Sequence, residues 1–168
     1  RGPQGAIMGA GALAGLNSVE TTTPSDATEL NVAMGLENYG GRRLEFSGNT
    51  GVTSALSARV AHQRYESDGW VDNTFLGVDD TNNRDEQTTR LALRHSTDAD
   101  TFDIKLNKVD IDNGYDAFSL DNTRETLSDQ PGEDSLELTS MLIRWSRVGE
   151  RFTSTVQISD VDADAIYR

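Results

Sequence analysis

The sequence predicts an all-β fold, arranged as an antiparallel up-and-down meander that is part of a transmembrane β-barrel. Along several segments apolar and polar side chains alternate with a period of two, which is the pattern of strands with one apolar and one polar face. The connections between these segments are alternately short and long, as in barrels with short turns at one rim and long loops at the other. No run of about 18 apolar residues is present, so a transmembrane helix is not expected.

The clearest alternation lies in the hairpin 136–159, where Met141, Ile143 and Trp145 share one face and a short turn holds Gly149. The same unit recurs upstream. We predict that the apolar face contacts lipid and consists of Leu30, Val32, Met34, Leu44, Phe46, Leu56, Val60, Leu91, Leu93, Phe102, Ile104, Leu106, Met141, Ile143, Trp145, Phe152, Val156 and Ile158. The predicted polar lumen face carries Arg43, Arg59, Arg90, Arg94, Lys105, Arg144 and Thr155.

The spacing of the connections favours a barrel over a soluble sandwich, which gives no reason for the short turns to gather at one end. Short connections are predicted at 49–54, 98–100 and 148–150 and long polar ones at 66–88 and 110–135, with a short first exception at 38–42. Strands of about 10 residues, enough to cross a bilayer at a tilt, fit this spacing.

Composition limits the partners. Hydrophobic residues make up 35% of the 168 residues and charged residues 26%, which is compatible with a barrel because only every second strand residue must be apolar. The net charge of -13 argues against nucleic acid and anionic lipid headgroups. Because there is no Cys, disulfides and thiolate metal sites are excluded.

The first 26 residues differ from the rest in their density of Gly and Ala. They contain the motif residues Arg1, Gly2, Pro3, Gln4, Gly5, Gly9, Gly11 and Gly15. A short strand is predicted at Leu16–Thr22. The pattern Gly9–Ala14 is a poor phosphate loop, because no strand precedes it and no βαβ context follows.

This segment resembles the end of the plug domain of TonB-dependent outer-membrane receptors, in which RGPQG precedes a Gly-rich stretch and the strand INIVT. Leu16–Thr21 stands where that strand lies in the family. The resemblance implies residues 1–26 as the end of a plug, followed by about seven strands of a 22-stranded barrel in residues 27–168. The stretches 65–70 and 112–122 also resemble loops of this family.

The resemblance further implies a receptor of the outer membrane of a Gram-negative bacterium. Such a protein is not an enzyme and takes up a scarce nutrient, most often a ferric siderophore, with energy supplied through the partner TonB. Outer-membrane lipid is the other expected partner, and no cofactor or metal is expected. We interpret the chain as an internal fragment, because it begins at Arg1 rather than Met and ends in an extended segment.

Each of the other motifs has a structural interpretation as well as a functional one. Asp160, Asp162 and Asp164 lack the Gly and Glu of a calcium loop, so a solvated strand end is favoured over calcium binding. His62 and His95 are isolated, without the spacing of metal ligands. The lumen cations are compatible with an anionic ligand or, as the favoured alternative, with pairing to plug carboxylates. We interpret Trp70, Trp145 and Tyr65 as members of the aromatic girdles that lie at the membrane interfaces of a barrel.

Two functional classes therefore remain beside a passive porin, which would lack the RGPQG segment. The first is the outer-membrane importer. The second is a soluble or surface-exposed acidic β-sheet protein, adhesin-like, that binds calcium or glycans. The second class requires the apolar faces to pack on each other rather than on lipid.

Overall fold

The computed structural model describes residues 20–116 and 123–168. These residues form no helix, and their strands are β1 (Glu29–Leu36), β2 (Arg42–Gly51), β3 (Leu56–Ser67), β4 (Asp72–Asn73), β5 (Arg84–Ser96), β6 (Asp100–Tyr115), β7 (Glu125–Thr126), β8 (Gly132–Val148) and β9 (Thr153–Tyr167). Seven of them make one sheet in the order β1-β2-β3-β5-β6-β8-β9, and every neighbouring pair in it is antiparallel. The all-β antiparallel meander is thus confirmed, while the described strands form no closed barrel.

The strands are longer than the hydrophobic alternation predicted. The connection predicted at 110–135 is reduced to 116–131, because β6 and β8 continue to pair beyond their apolar residues. Likewise β9 extends eight residues past Ser159, through the three aspartates, to Tyr167. Backbone ladders need only N–H and C=O groups, so pairing persists where the side-chain pattern ends.

The predicted plug end lies mostly outside the described residues. This holds for the motif positions Arg1, Gly2, Pro3, Gln4, Gly5, Gly9, Gly11 and Gly15. Of the strand predicted at Leu16–Thr22, the described residues 20–22 belong to no strand. The proposed boundary between residues 26 and 27 falls shortly before β1.

The turn between β1 and β2 is a type I′ hairpin turn. Tyr39 and Gly40 have φ angles of 60° and 67°, and the backbone N–H of Gly41 donates to the carbonyl of Asn38 at 3.2 Å. Two successive positive φ angles suit the twist of a hairpin. The hydroxyl of Tyr39 accepts a hydrogen bond from Arg124, which ties this turn to the connection 116–131.

The two long connections are joined to each other at the same end of the sheet. In 68–83 and 116–131 the short strands β4 and β7 pair in parallel. Asp116, only 2% exposed, accepts hydrogen bonds of 2.7 Å from the hydroxyls of Thr126, Thr81 and Ser128. The side-chain amide of Asn73 adds a bond of 2.9 Å to the same carboxylate. This cluster of five residues, the Asp116 cluster, therefore links both connections through one buried charge.

The pKa of Asp116 reflects two opposed effects. Burial raises the pKa of the carboxyl group, and the hydrogen bonds from Thr126, Ser128, Thr81 and Asn73 lower it. The hydrogen bonds outweigh burial, because each favours the charged form, and the net pKa lies below its usual value. The ionised carboxylate thus stabilises the folded connections.

We expect Asp116→Asn to loosen both connections at neutral pH. An amide cannot accept all four donors, so the opening free energy should fall by about 2–3 kcal/mol, roughly a 30- to 150-fold larger open population. Limited proteolysis within 68–83 and 116–131 measures this population. Asp129→Asn is the matched control, since Asp129 is an exposed acid of the same connection. Equal cleavage of the Asp116 variant and the wild type would contradict the prediction.

The stabilisation of the two connections by the Asp116 carboxylate should decrease as the pH falls. Because the folded-state pKa is lowered, the contribution is complete above the unfolded value of about 3.9 and is lost as the pH falls through the folded value. The ratio of pepsin cleavage rates of the variant and the wild type should therefore stay constant down to about pH 4 and approach one below it. A ratio that does not change in acid would exclude the ionised carboxylate as the cause.

Candidate functional site: an apolar band and a polar face

The sheet has the reverse of the burial pattern of a soluble protein. Among the described residues the buried apolar core is reduced to Val71, which is 4% exposed. On β6 the apolar residues Phe102, Ile104 and Leu106 are exposed, while the polar Asp103 between them is 4% exposed. On β6 the apolar side chains thus point to the surroundings, whereas Asp103 on the opposite face is buried.

Strand register places most of the exposed apolar strand residues in a single band, while Val148 and Val161 lie on the other face. Residues directly opposite each other in an antiparallel pair share a face, so Leu93, Ile104, Ile143 and Ile158 form one continuous row across four strands. All strand residues of the predicted lipid-facing set lie on this face. The exception is Phe152, which lies in the turn before β9. The apolar band therefore crosses all seven strands.

The apolar band runs obliquely to the rows of paired residues. On β1 the band is centred near Met34, and the row of directly paired residues that contains Met34 reaches β6 at Asp110. On β9 the band is centred near Val156, and the row that contains Val156 reaches β8 at Trp145 and β6 at Phe102. These two rows lie eight residues apart on β6, so the shift amounts to ~26 Å along the strands over ~29 Å across six strand spacings, an inclination of ~40°. Strands of transmembrane barrels tilt by about 35–45°. A band level with a membrane would cross these strands at this angle.

Aromatic residues lie at the short-turn edge of the apolar band. The rings of Phe102 and Trp145 have centroids 6.3 Å apart, and the indole N–H donates to Asp100 at 2.9 Å. An apolar ring with a polar partner at its edge suits a membrane interface, as predicted for Trp145. Tyr65 does not fit that prediction, because its register with Arg43 places it on the polar face.

The polar face carries every cation predicted for it. Arg94 forms a bidentate pair with Asp103 of the adjacent strand, with N–O distances of 2.7 and 2.8 Å. Such a planar double contact is the strongest geometry for this pair. The remaining predicted residues on this face are Arg43, Arg59, Arg90, Lys105, Arg144 and Thr155. Their hydrogen-bond partners are Glu37 for Arg43, Asn107 for Arg90, Thr21 for Lys105, Gln157 for Arg144 and Ser146 for Thr155. The carboxylate partners of Arg43 and Arg94 belong to the described hairpins rather than to the plug segment.

The segment 20–28 crosses the polar face. The side chain of Asn49 donates to the carbonyl of Ala27 at 2.5 Å and accepts from the backbone N–H of Ser25 at 3.1 Å, while Lys105 contacts Thr21 at 3.0 Å. Asn49 and Lys105 belong to one row of paired residues, three strand spacings or ~14 Å apart. The four residues from Ser25 to Thr21 span ~14 Å when extended. The segment therefore lies straight across four strands, which sequence patterns alone did not indicate.

The histidines and the aspartate run are not assembled into a metal site. His62 shares a hydrogen bond of 2.8 Å with Thr89, and His95 lies beside Phe102 on the apolar face. The alternate aspartates from Asp160 to Asp164 are spaced along β9 rather than convergent. Within the ranges 20–116 and 123–168 no group of three or more His, Asp or Glu side chains is arranged to hold a metal ion.

Comparisons with known proteins do not assign the chain to a family. No protein-family model matches it, and no solved structure matches it at a significant level. In the part of the chain that the structure describes, no helix has the length and apolarity to cross a bilayer. The apolar band, the polar face and the register that separates them are thus the observations that bear on function.

We expect the Arg94–Asp103 pair to behave as a half-buried ion pair, because the side chain of Asp103 is 5% exposed and that of Arg94 is 33% exposed. Asp103→Ala leaves the partly exposed guanidinium without its partner and should destabilise the sheet by about 1–3 kcal/mol. The double variant Arg94→Met/Asp103→Leu should lose markedly less, since no charge remains unpaired. Urea unfolding of the folded protein measures both. Arg90→Ala is the control, because its single 3.3 Å bond to Asn107 is weak; additive losses in the double variant would contradict the prediction.

Proposed function

We propose that the chain is part of an outer-membrane β-barrel receptor of the TonB-dependent kind, which takes up a scarce nutrient. One observation carries the proposal: an exposed apolar band crosses seven strands, and the opposite face of the sheet is polar. Apolar area exposed to water is unfavourable by about 25 cal/mol per Å². Lipid removes that penalty, because acyl chains are as apolar as the band.

The two edge strands of the sheet support a barrel with more strands than the seven described. Among the described strands β1 pairs only with β2, and β9 pairs only with β8. Unpaired backbone groups in hydrocarbon cost several kcal/mol each, so a sheet in a membrane must close on itself. Further strands of a longer protein fill this requirement, and the ~40° inclination of the apolar band agrees with closure into a tilted barrel.

The segment 20–28 supports a plug on the inner side. It lies on the polar face, held by Asn49 and Lys105. The RGPQG resemblance of residues 1–5 gives the same assignment. The receptor so formed takes up a ferric siderophore or another scarce nutrient with energy from TonB. Cations of the polar face, such as Arg59, suit contacts with acidic groups of a plug or a ligand.

The first test uses the full-length parent gene in a Gram-negative host. We expect the protein in the outer membrane, with heat-modifiable mobility on gels and a growth advantage on scarce iron sources that disappears when TonB is deleted. A soluble product that binds calcium supports the acidic surface-protein alternative instead. An outer-membrane protein whose uptake does not depend on TonB points to a passive porin.

A second test measures the environment of the apolar band directly. Ile143 is 39% exposed at the centre of the band, and Thr139 lies on the same face of β8 beyond its edge. If the band faces lipid, Ile143→Arg costs about 2–4 kcal/mol and Thr139→Arg about 0–1 kcal/mol. In water, an exposed Ile→Arg change stays within about 0.5 kcal/mol. Unfolding in vesicles distinguishes these results, and equal effects at both positions would reject a lipid-facing band.

A further inference from the structure

The two long connections present a second group of exposed apolar side chains, outside the apolar band. These are Trp70, Phe75, Leu76 and Val78 in 68–83 and Leu127 in 116–131. The strands that lead into the connections carry charged residues on the face of the band before they end, namely Arg64, Glu66, Asp85, Asp110, Asp112 and Glu137. Charged side chains are costly in hydrocarbon, so lipid that covers the band does not extend to this second group.

A tight turn holds Phe75 and Leu76 in place. Their backbone N–H groups donate to the side-chain oxygen of Asn73 at 3.1 and 2.9 Å. The backbone N–H of Asn73 donates to the carbonyl of Val78 at 2.7 Å and closes the turn. Asn73 is buried and donates to Asp116, so the Asp116 cluster supports the turn from below. A partner would therefore meet two apolar side chains whose backbone is already ordered, which lowers the entropic cost of binding.

The pairing of β4 with β7 places Leu127 beside this turn. Asn73 and Thr126 are paired and buried, so Thr74 and Leu127, the next residue of each strand, lie on the exposed side. The backbone N–H of Thr74 donates to the carbonyl of Thr126 at 2.9 Å. We call Phe75, Leu76 and Leu127 the apolar tip. An exposed apolar patch with a polar rim is typical of an interaction surface.

The rim of the apolar tip is acidic. Asp72 and Glu125 lie directly opposite each other on β4 and β7, and such a pair of like charges is unfavourable. Further exposed acids of the two connections are Asp79, Asp80 and Asp129. Within residues 20–116 and 123–168 none of these five carboxylates forms an ion pair. A cationic partner would relieve their repulsion.

Positive charge is scarce around the tip. The stretches 68–83 and 116–131 contain eight acidic residues and one basic residue, Arg124, whose guanidinium lies over the ring of Tyr39. Where 68–83 meets the strands, Arg42 and Arg84 share a groove with the four acids Glu66, Asp68, Asp80 and Asp85. Acids therefore outnumber cations both at the tip and at its base, and the surface attracts cationic partners and repels anionic ones.

We propose that the apolar tip docks a cationic amphipathic segment of a partner protein. Apolar side chains of that segment cover Phe75, Leu76 and Leu127, while its Lys and Arg side chains contact Asp72 and Glu125. The acidic rim disfavours nucleic acid and phosphorylated lipid headgroups as occupants. The proposal goes beyond the receptor function and does not rest on it, since the tip lies outside the apolar band.

The probe is a synthetic peptide of Leu and Lys, with Leu at the i, i+3, i+4 spacing of an amphipathic helix. Its binding to the full-length parent protein in phosphatidylcholine nanodiscs is followed by surface plasmon resonance, with empty nanodiscs as the background. Two comparison peptides carry Glu in place of Lys or Ser in place of Leu. We expect both to bind at least about tenfold more weakly, because each lacks one of the two complementary features.

Two double variants separate the roles of the tip and the rim. Phe75→Ser/Leu76→Ser should raise the dissociation rate about tenfold, because apolar anchors at an interface act mainly on dissociation. Asp72→Asn/Glu125→Gln should lower the association rate about three- to tenfold and weaken its salt dependence, because rim charges steer encounter. Asp162→Asn/Asp164→Asn is the matched control, since it removes two exposed acids from β9. Leu127→Ser replaces the first variant if that variant does not fold.

The outcomes separate this proposal from the receptor assignment. Wild-type dissociation rates in the folded tip variants overturn the docking surface and leave the receptor assignment intact. Equal binding of the Lys and Glu peptides overturns the cationic partner. An equal loss of association in the rim variant and the β9 control shows that the peptide responds to net charge alone, which also overturns the site. Absence of the parent protein from the outer membrane overturns the receptor, and the same peptide assay then tests the tip in solution.

Discussion

The register of the antiparallel ladders is the constraint on which the rest of the structure depends. Side chains alternate between faces with a period of two, so a slip of one residue on any strand would move its apolar residues to the other face. In the observed register Ile104 pairs with Ile143, and Asp103 of the opposite face pairs with Arg144. The ladders therefore separate an apolar band from a polar face without a conventional core.

The polar groups are organised by the same separation. On the polar face Arg94 and Asp103 form an ion pair, and Asn49 and Lys105 hold the segment 20–28 across the strands. Beyond the ladders Asp116 replaces a hydrophobic core in the long connections, with four side-chain donors around one buried carboxylate. Fully satisfied polar networks of this kind fix geometry, because each unpaired buried group would be costly.

Much of the sheet could be predicted from the sequence, because strand order and facing depend on residues that are close together in the chain. The order of strands in a meander follows the chain, and the alternation around Met141 and Ile143 assigns their face correctly. Phe152 was misplaced because a turn lies where the alternation suggested a strand. Tyr65 was misassigned because aromaticity suggests an interface without saying which face the residue occupies. Strand ends were underestimated because backbone pairing continues through polar residues.

Periodicity and the spacing of connections along the chain were enough to predict the seven strands of the main sheet, their antiparallel order and their two faces. The inclination of the apolar band, the Asp116 cluster and the crossing segment held by Asn49 became known only from the folded structure. Each of these depends on which residues of separate strands or connections meet. That is set by register and by contacts between distant segments, which no pattern within one segment records.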